Sequence, residues 1–540
     1  HFGMKRYCDC GAGSLLNPRV RLSKMENILP RPRVLVPVIA SLLALGYSSA
    51  ATHADSDSCG NRVNNNHNKL LECVTVEGVR AHQAAFQAIA DANAGTRLSG
   101  TAGYDQSVDY VVSALEDAGY DITVQPFQYN TFFLNGPSTL EQLGPDPTVY
   151  VEDVDYGVMT YSASGDVTGG VTAVDLQLGD SNSSTSGCEA ADFAGFPPGD
   201  IALIQRGACT FATKAENAAA AGAIGAIIFN QGNTPAREGL INGTLGSGYG
   251  GGIPVLDATY PLGVDWNGTA GLQMRLVVDA TSGEVTSYNV LAESQSGDPD
   301  NVIMAGAHLD SVAGGPGIQD NGSGSAAILE TALQMAKVKP RNKVRFAWWG
   351  AEESGLIGST HYVGNLSQEE IDDITLYLNF DMVGSPNYVY FIYDGDDSDG
   401  VGAGPGPEGS AQIEALFESY YTSIGQSFKG TDFSGRSDYG PFIAVGIPAG
   451  GLFTGAEGIK TIDEVGVWGG TAGEQYDPCY HLACDTFDNI SLEALSVNAD
   501  AVAFAVLQYA MNTSSINGKK GKGNFKQVPE MEYRGPRAQQ

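Results

Sequence analysis

Three short apolar runs between residues 301 and 384 constrain this chain more than any other feature: Val302 to Ala307, Val344 to Trp349 and Leu376 to Phe380. Each is bounded by polar or glycine-rich sequence and separated from the next by a helix-like segment, the pattern of buried parallel strands in an α/β sheet. Each also ends in a side chain able to hold a metal. His308 follows the first run, Glu352 and Glu353 closely follow the second, and Asp381 follows the third. In open α/β sheets functional groups gather beyond the carboxyl ends of the strands, so the three endings converge on one place.

Asp320 lies between the first two runs, in the glycine-rich loop Gly314 to Gly324 that opens a helix near Ser323. Glycine lets the backbone approach closely there, so Asp320 can be delivered to the same strand ends. Imidazole nitrogen and carboxylate oxygen, with no thiolate among them, suit Zn²⁺ used as a Lewis acid better than a structural zinc clip. A second imidazole comes from His481, far along the chain in DPCYHLACD. A single AEE is usually a solvated acidic turn, and a single HLD a satisfied loop histidine. Their convergence is what points to chemistry.

The segments AGAHLDS, DNGSGSA, FAWWGAEESGLIGS, LNFDMVGSPN, GRSDYGPF, GGLFTG and WGGTAGEQYDPCYH, with the CD that follows, occur in this order. They resemble the di-zinc aminopeptidases of the bacterial leucyl aminopeptidase and aminopeptidase Y type, over residues 76 to 512 with one insertion. The resemblance implies two Zn²⁺ ions per chain. One would be held by His308 and Asp381, the other by Glu353 and His481, with Asp320 bridging. It implies Glu352 as general base, Asp310 as the residue orienting His308, and Tyr480 as the group polarising the substrate carbonyl. It also implies a cis peptide after Asp320 and places Arg436 near the substrate amino terminus. Tyr439 stands where the bacterial enzymes carry His, which puts the contacts of that rim in question.

The chemistry is coherent without the family. Two metals about 3.5–4 Å apart need a shared carboxylate, and they lower the pKa of a water toward ~7 while polarising a carbonyl. A neighbouring glutamate can take the water's proton and pass it to the leaving amine. Asp310, two residues after His308, fits the outer carboxylate that fixes a ligand's tautomer. Glu352 and Asp381 can also pair with a substrate ammonium. The expected substrates are therefore peptide or protein amino termini, with large apolar first residues such as Leu or Phe suggested by the resemblance. A carboxypeptidase of related fold would need a cation facing the substrate carboxylate. A glutaminyl cyclase would use one zinc, and a metal-free receptor would have lost ligands; here the five-residue set is complete.

A chain of 540 residues exceeds what one core sustains, so more than one domain is expected. Its formal net charge is −33, which argues against nucleic acid or an anionic membrane as partner. Arg31 and Arg33 precede the apolar run Val34 to Tyr47, and Ser48, Ser49 and Ala50 supply small residues for cleavage, the pattern of a secretory signal peptide. No other stretch reads as long and apolar enough to cross a membrane. A secreted, monomeric enzyme free of the membrane after signal removal is expected. Cys8 and Cys10 fall before the cleavage point. Of fifteen possible pairings among the remaining six cysteines, proximity favours Cys59 with Cys73, Cys188 with Cys209, and Cys479 with Cys484. Export makes disulfides the default. The sequons at Asn182, Asn242, Asn267 and Asn365 would be glycosylated only in a host with that machinery.

Val76 to Ala94 and Tyr104 to Ala118 carry helical periodicity, and Asp121 to Tyr129 alternates as a strand. From Leu134 to Val285 the composition shifts to polar strands and Gly/Ser/Asn turns. Within it, Ile201 to Gln205, Thr213 to Ala221 and Ala226 to Phe229 read as a β-α-β unit. Its RGACTF and AGAIG segments resemble the protease-associated domain inserted in exported peptidases. A strand is expected at Tyr388 to Tyr393, and a closing helix follows Leu492. His53, His67, His82 and His361 read as surface or packing residues. The expected architecture is a mixed, mostly parallel sheet flanked by helices, with an inserted smaller β-rich α+β domain. In order, the expected parts are an upstream segment and leader (1–50), the start of the catalytic domain (51–133), the insertion (134–285), the rest of the catalytic domain (286–512) and an unstructured tail (513–540).

Overall fold

The computed structural model describes residues 56–402 and 404–519; the leader, Cys8, Cys10, His53 and the last part of the tail lie outside them. Two eight-stranded sheets organise the chain. In the first, the strands run in the order Asp121–Leu134, Ala280–Glu293, Asn342–Trp349, Asp298–His308, Ile374–Phe380, Ala449–Phe453, Phe391–Tyr393 and Lys429–Thr431. The three apolar runs are its centre. Asp298–His308 pairs in parallel with both Asn342–Trp349 and Ile374–Phe380. The register sets His308 opposite Trp349 and Gly306 opposite Asn379, so the three strands end side by side.

The two-residue period of a strand divides its apolar side chains between two layers. Ile303, Ala305 and Ala307 face a core shared with the helices Val76–Ala92, Ala102–Ala118, Gly322–Met335 and Leu492–Met511. Val302 and Met304 face the opposite core, with Tyr362, Tyr439 and Phe442 from the helices Ile357–Gly364 and Tyr439–Ala444. Burial on both faces explains why the strands read as largely apolar runs, interrupted only by Arg345 and Asn379. It also corrects one expectation. Leu492–Met511, 20 residues with mean hydropathy 1.3, is long and apolar enough to cross a membrane, but 78% of that window is buried inside the protein as a core helix.

The edge strand Asp121–Leu134 and its neighbour Ala280–Glu293 form an antiparallel arm that pairs without a break from Asp121 opposite Glu293 to Leu134 opposite Ala280. The arm runs through both expected boundaries, 134 and 285, and carries residues 135–279 at its far end. There the second sheet holds the β-α-β unit, Ile201–Gln205, the helix Phe211–Ala220 and Gly225–Phe229, with its strands parallel and fully buried. At its base the arm buries Phe127 and Tyr129 against Ala351.

Three disulfides close, Cys59–Cys73, Cys188–Cys209 and Cys479–Cys484, the pairs that proximity favours. Two expectations need correcting. The Tyr388 to Tyr393 strand is only Phe391–Tyr393, because the residues before it bond singly to Thr454 and Lys429 and form no ladder. Residues 513–519, assigned by composition to the tail, continue the fold through a short helix, Ser514–Asn517. Thr513 accepts a hydrogen bond from the buried Asn301, and Asn517 donates one to it.

Candidate active site

The carboxyl ends of the three central strands open into a cleft of about 300 Å³ lined by His308, Asp320, Glu352, Glu353, Asp381, Tyr480 and His481 among others. Asp320 stands between the two imidazoles. Its Oδ1 lies 3.1 Å from His308 Nε2 and its Oδ2 lies 3.2 Å from His481 Nε2. Asp381 Oδ1 is 3.2 Å from His308 Nε2, and Glu353 Oε2 is 3.0 Å from His481 Nε2. The five residues thus form two half-shells, His308 with Asp381 and His481 with Glu353, joined by one carboxylate.

Local backbone explains how these side chains are presented. Asp320 precedes the helix Gly322–Met335, and the Asp320–Asn321 peptide is cis, as the resemblance implies. Asn321 caps that helix by accepting from Gly324 N–H, which closes the turn behind Asp320. Ala351, Met382 and His481 all have left-handed φ, 57°, 53° and 59°. Non-glycine residues in that region cost of order 1–3 kcal/mol each and persist where the surroundings enforce them. Here they occupy the position before Glu352, the position after Asp381, and His481 itself.

Hydrogen bonds fix the carboxylates from behind. Asp485, 2% exposed, accepts from Gln319 N–H at 2.8 Å and Asp320 N–H at 3.0 Å. Asp381 Oδ2 accepts from Ser437 Oγ at 2.6 Å, Ser437 accepts from Asn379, and Asn379 accepts from Tyr377. Asp310 meets His308 differently from the expected carboxylate contact. Its backbone carbonyl is 3.1 Å from Nδ1 while its carboxylate is at 3.6 Å, and that carboxylate accepts from Glu352 N–H at 3.2 Å. Tyr480 stacks on His481 with ring centroids 3.8 Å apart. Arg436 bonds the Tyr480 hydroxyl at 3.3 Å and pairs with Glu457 at 2.7 Å on the exposed rim. Tyr439 is buried and accepts from Gly435 N–H, so it supports the rim from beneath. His67, His82 and His361 stand outside the cleft; His82 is buried between Tyr110 and Glu330.

Electrostatics separates the groups. Burial raises the Glu352 carboxyl well above the ordinary range, the His308 charge opposing and Asp381 adding to it. Burial, with Asp320 adding, lifts Glu353 to about 7. Burial alone would lower His481, but hydrogen bonds to Asp320 and Glu353 hold it at about 10. Burial works against Asp320 too and is outweighed by the two imidazoles, which hold its carboxyl below the usual range. Four carboxylates, Asp320, Glu352, Glu353 and Asp381, gather in this one cleft, a setting that favours a bound cation. Glu353 Oε1 is buried with no hydrogen-bond partner, an orphan acceptor that a cation in the cleft would satisfy. Ligand atoms of His308, Asp320 and Glu353 lie within 4.8 Å of one another, as do those of His308, Glu352 and Asp381. Nitrogen and oxygen donors in this arrangement fit zinc.

A profile of peptidase family M28 matches residues 289–506, and one of the PA domain matches 167–265. An aminopeptidase of Pseudomonas aeruginosa is 54% identical over 449 residues, covering 83% of each chain. The chain belongs to peptidase family M28. It is an aminopeptidase of that family, a hydrolase of peptide bonds, with an inserted PA domain. A probable leucine aminopeptidase 2 of Aspergillus fumigatus is 42% identical over 431 residues, covering 78% of this chain and 80% of the relative. Among solved structures, a zinc aminopeptidase from Bacillus subtilis is similar at TM-score 0.55 and 27% identity, covering 80% of this chain and 94% of that one.

Sequence reasoning brought eight residues to this cleft, His308, Asp320, Glu352, Glu353, Asp381, Arg436, Tyr480 and His481, and it missed Asp485, Ser437 and Asn379 as supports. All three lie inside quoted motifs. Their signal was position beside a site residue, not chemistry of their own.

Proposed function

We propose that this M28 aminopeptidase is an exported, monomeric di-zinc enzyme that removes large apolar residues such as Leu from peptide and protein amino termini. The observation that carries the reading is Asp320, whose two oxygens face two separate imidazoles, the disposition of a carboxylate shared by two metals. His308 and Asp381 would hold one zinc, Glu353 and His481 the other. When bound, zinc supplies Lewis acidity that acidifies a water and polarises the scissile carbonyl.

The chain's own groups do the rest. Glu352, on the cleft wall, takes the water's proton and returns it to the leaving amine. The Tyr480 hydroxyl, held by Arg436, donates to the carbonyl oxygen as charge develops there. Asp381 and Glu352 receive the substrate ammonium. Met382, Phe391 and Phe453 line the cleft beyond them and suit an apolar first side chain. Three disulfides support an oxidising, extracellular setting.

The test is zinc per chain by elemental analysis, with hydrolysis of leucyl p-nitroanilide before and after chelation. Two zinc ions and chelator-sensitive turnover are expected. One ion per chain with full activity would overturn the two-metal reading, and equal turnover of acetyl-leucyl and leucyl substrates would overturn the need for a free amine.

A further inference from the structure

Arg97 comes from outside the segment matched by the family profile, in the turn between the helices Val76–Ala92 and Ala102–Ala118, and it is completely buried. A buried guanidinium normally faces a carboxylate. This one faces backbone. Its Nε donates to Pro316 carbonyl at 2.9 Å, its Nη2 to Gly317 carbonyl at 2.6 Å, and its Nη1 to Leu309 carbonyl. The main chain around it is stitched to the same loop, with Arg97 N–H donating to Ser311 Oγ at 2.9 Å and Thr96 Oγ1 to Val312 carbonyl at 2.7 Å. The Phe86 ring closes the pocket 5.1 Å from the guanidinium carbon. Among the described residues no carboxylate forms an ion pair with it.

The loop so held, Leu309 to Gly317, begins directly after His308 and ends three residues before Asp320. Gly317 carbonyl also accepts from Gly322 N–H, so the clamp extends into the start of the helix that follows Asp320. Arg97 also brings a full positive charge to a neighbourhood rich in buried carboxylates. Burial lowers its pKa to about 10, with Asp310, Asp485 and Asp320 opposing the fall, so it is charged at neutral pH.

We propose that Arg97 is a positioning residue for the metal centre: its fork holds three carbonyls of the 309–317 loop, fixing His308 and Asp320 relative to one another before any metal binds. The proposal rests on the reading of His308 and Asp320 as ligands given above. Lysine would keep the charge but not the planar fork, so Arg97→Lys is not conservative at this site.

The experiment measures zinc affinity by competition with a chromophoric chelator for wild type, Arg97→Lys and Arg97→Ala, with circular dichroism checking the fold. Outer-shell partners are worth roughly 10- to 100-fold in metal affinity. Arg97→Ala is expected to weaken zinc binding by that factor, free guanidinium at sub-denaturing concentration to restore part of it, and Arg97→Lys to stay impaired. A folded Arg97→Ala chain with wild-type affinity overturns the proposal. Hydrogen exchange of the 309–319 amides in wild-type enzyme needs no variant: protection that survives chelation is expected, and protection that vanishes with the metal overturns the claim of a preformed loop. Wild-type enzyme that binds no zinc overturns the metal-centre reading and this proposal with it.

Discussion

Glu352 and Glu353 look interchangeable in sequence, and both lie within reach of the clustered ligand atoms, so their roles must be separated by perturbation. Glu353 Oε2 is 3.0 Å from His481 Nε2 and its Oε1 is buried without a partner. Glu353→Gln therefore removes the charge from a half-shell that has only His481 and the shared Asp320 besides, and zinc should fall from two ions per chain to one. Glu352 groups with His308 and Asp381, but no hydrogen bond joins its carboxylate to either imidazole among the described residues. Glu352→Gln is nearly isosteric and should keep two zinc ions and substrate affinity close to wild type. Only proton transfer is lost. A positioned general base is worth ~10²–10⁴ in rate, so kcat should fall by that factor, about 3–5 kcal/mol of transition-state stabilisation. Elemental analysis and leucyl p-nitroanilide kinetics on both variants decide the matter. If Glu352→Gln loses metal while Glu353→Gln keeps two ions, the assignment is reversed.

Four further outcomes follow from the geometry. Phe127→Ala, at the base of the arm against Ala351, should cost about 3–5 kcal/mol in denaturant unfolding and lower kcat while zinc content stays unchanged. Replacing Cys479 and Cys484 with Ser opens a loop of sequence separation 5, worth about 2 kcal/mol of chain entropy, and should weaken zinc retention on dialysis, since His481 lies inside it. Ending the chain after Asn512 removes the partners that Thr513 and Asn517 give to buried Asn301; about 1–3 kcal/mol of stability should go, read from urea melts. Asp500 is raised by burial from 3.8 to about 7, so the folded chain binds that proton more tightly than the unfolded one, and stability should fall as pH rises through this interval. Asp500→Asn should flatten that part of the Tm profile, and an unchanged profile would contradict the argument.

The centre of this fold was legible because it is buried on both faces. Val302 to Ala307, Val344 to Trp349 and Leu376 to Phe380 had to be largely apolar, Arg345 and Asn379 being the exceptions, and a site residue follows each closely. His481 was legible only through its motif, since no periodicity links a position near the end of the chain to strands that begin at 298 and 342. Arg97 was invisible for a different reason. Its acceptors are carbonyls, which every residue carries, so no pairing of side-chain types announces it. The Ser514–Asn517 helix was hidden because a polar, asparagine-rich segment looks unstructured until Asn301 supplies a buried partner.

The arm carries a consequence for the inserted PA domain. A domain hung on a flexible linker would move freely, whereas this one is joined by two strands that pair continuously into the catalytic sheet. Phe127 lies against the His361 ring, 5.6 Å between centroids, and packs with Tyr129 onto Ala351, the left-handed residue immediately before Glu352. Tyr129 further donates its hydroxyl to Ser99 carbonyl, two residues after Arg97. One end of the arm therefore bears on the turn that presents Glu352 and on the turn that clamps the Asp320 loop. Phe127→Ala removes one of these contacts and leaves the Tyr129 hydrogen bond, so a fall in turnover at unchanged zinc content would tie the packing of the arm to the turn that presents Glu352.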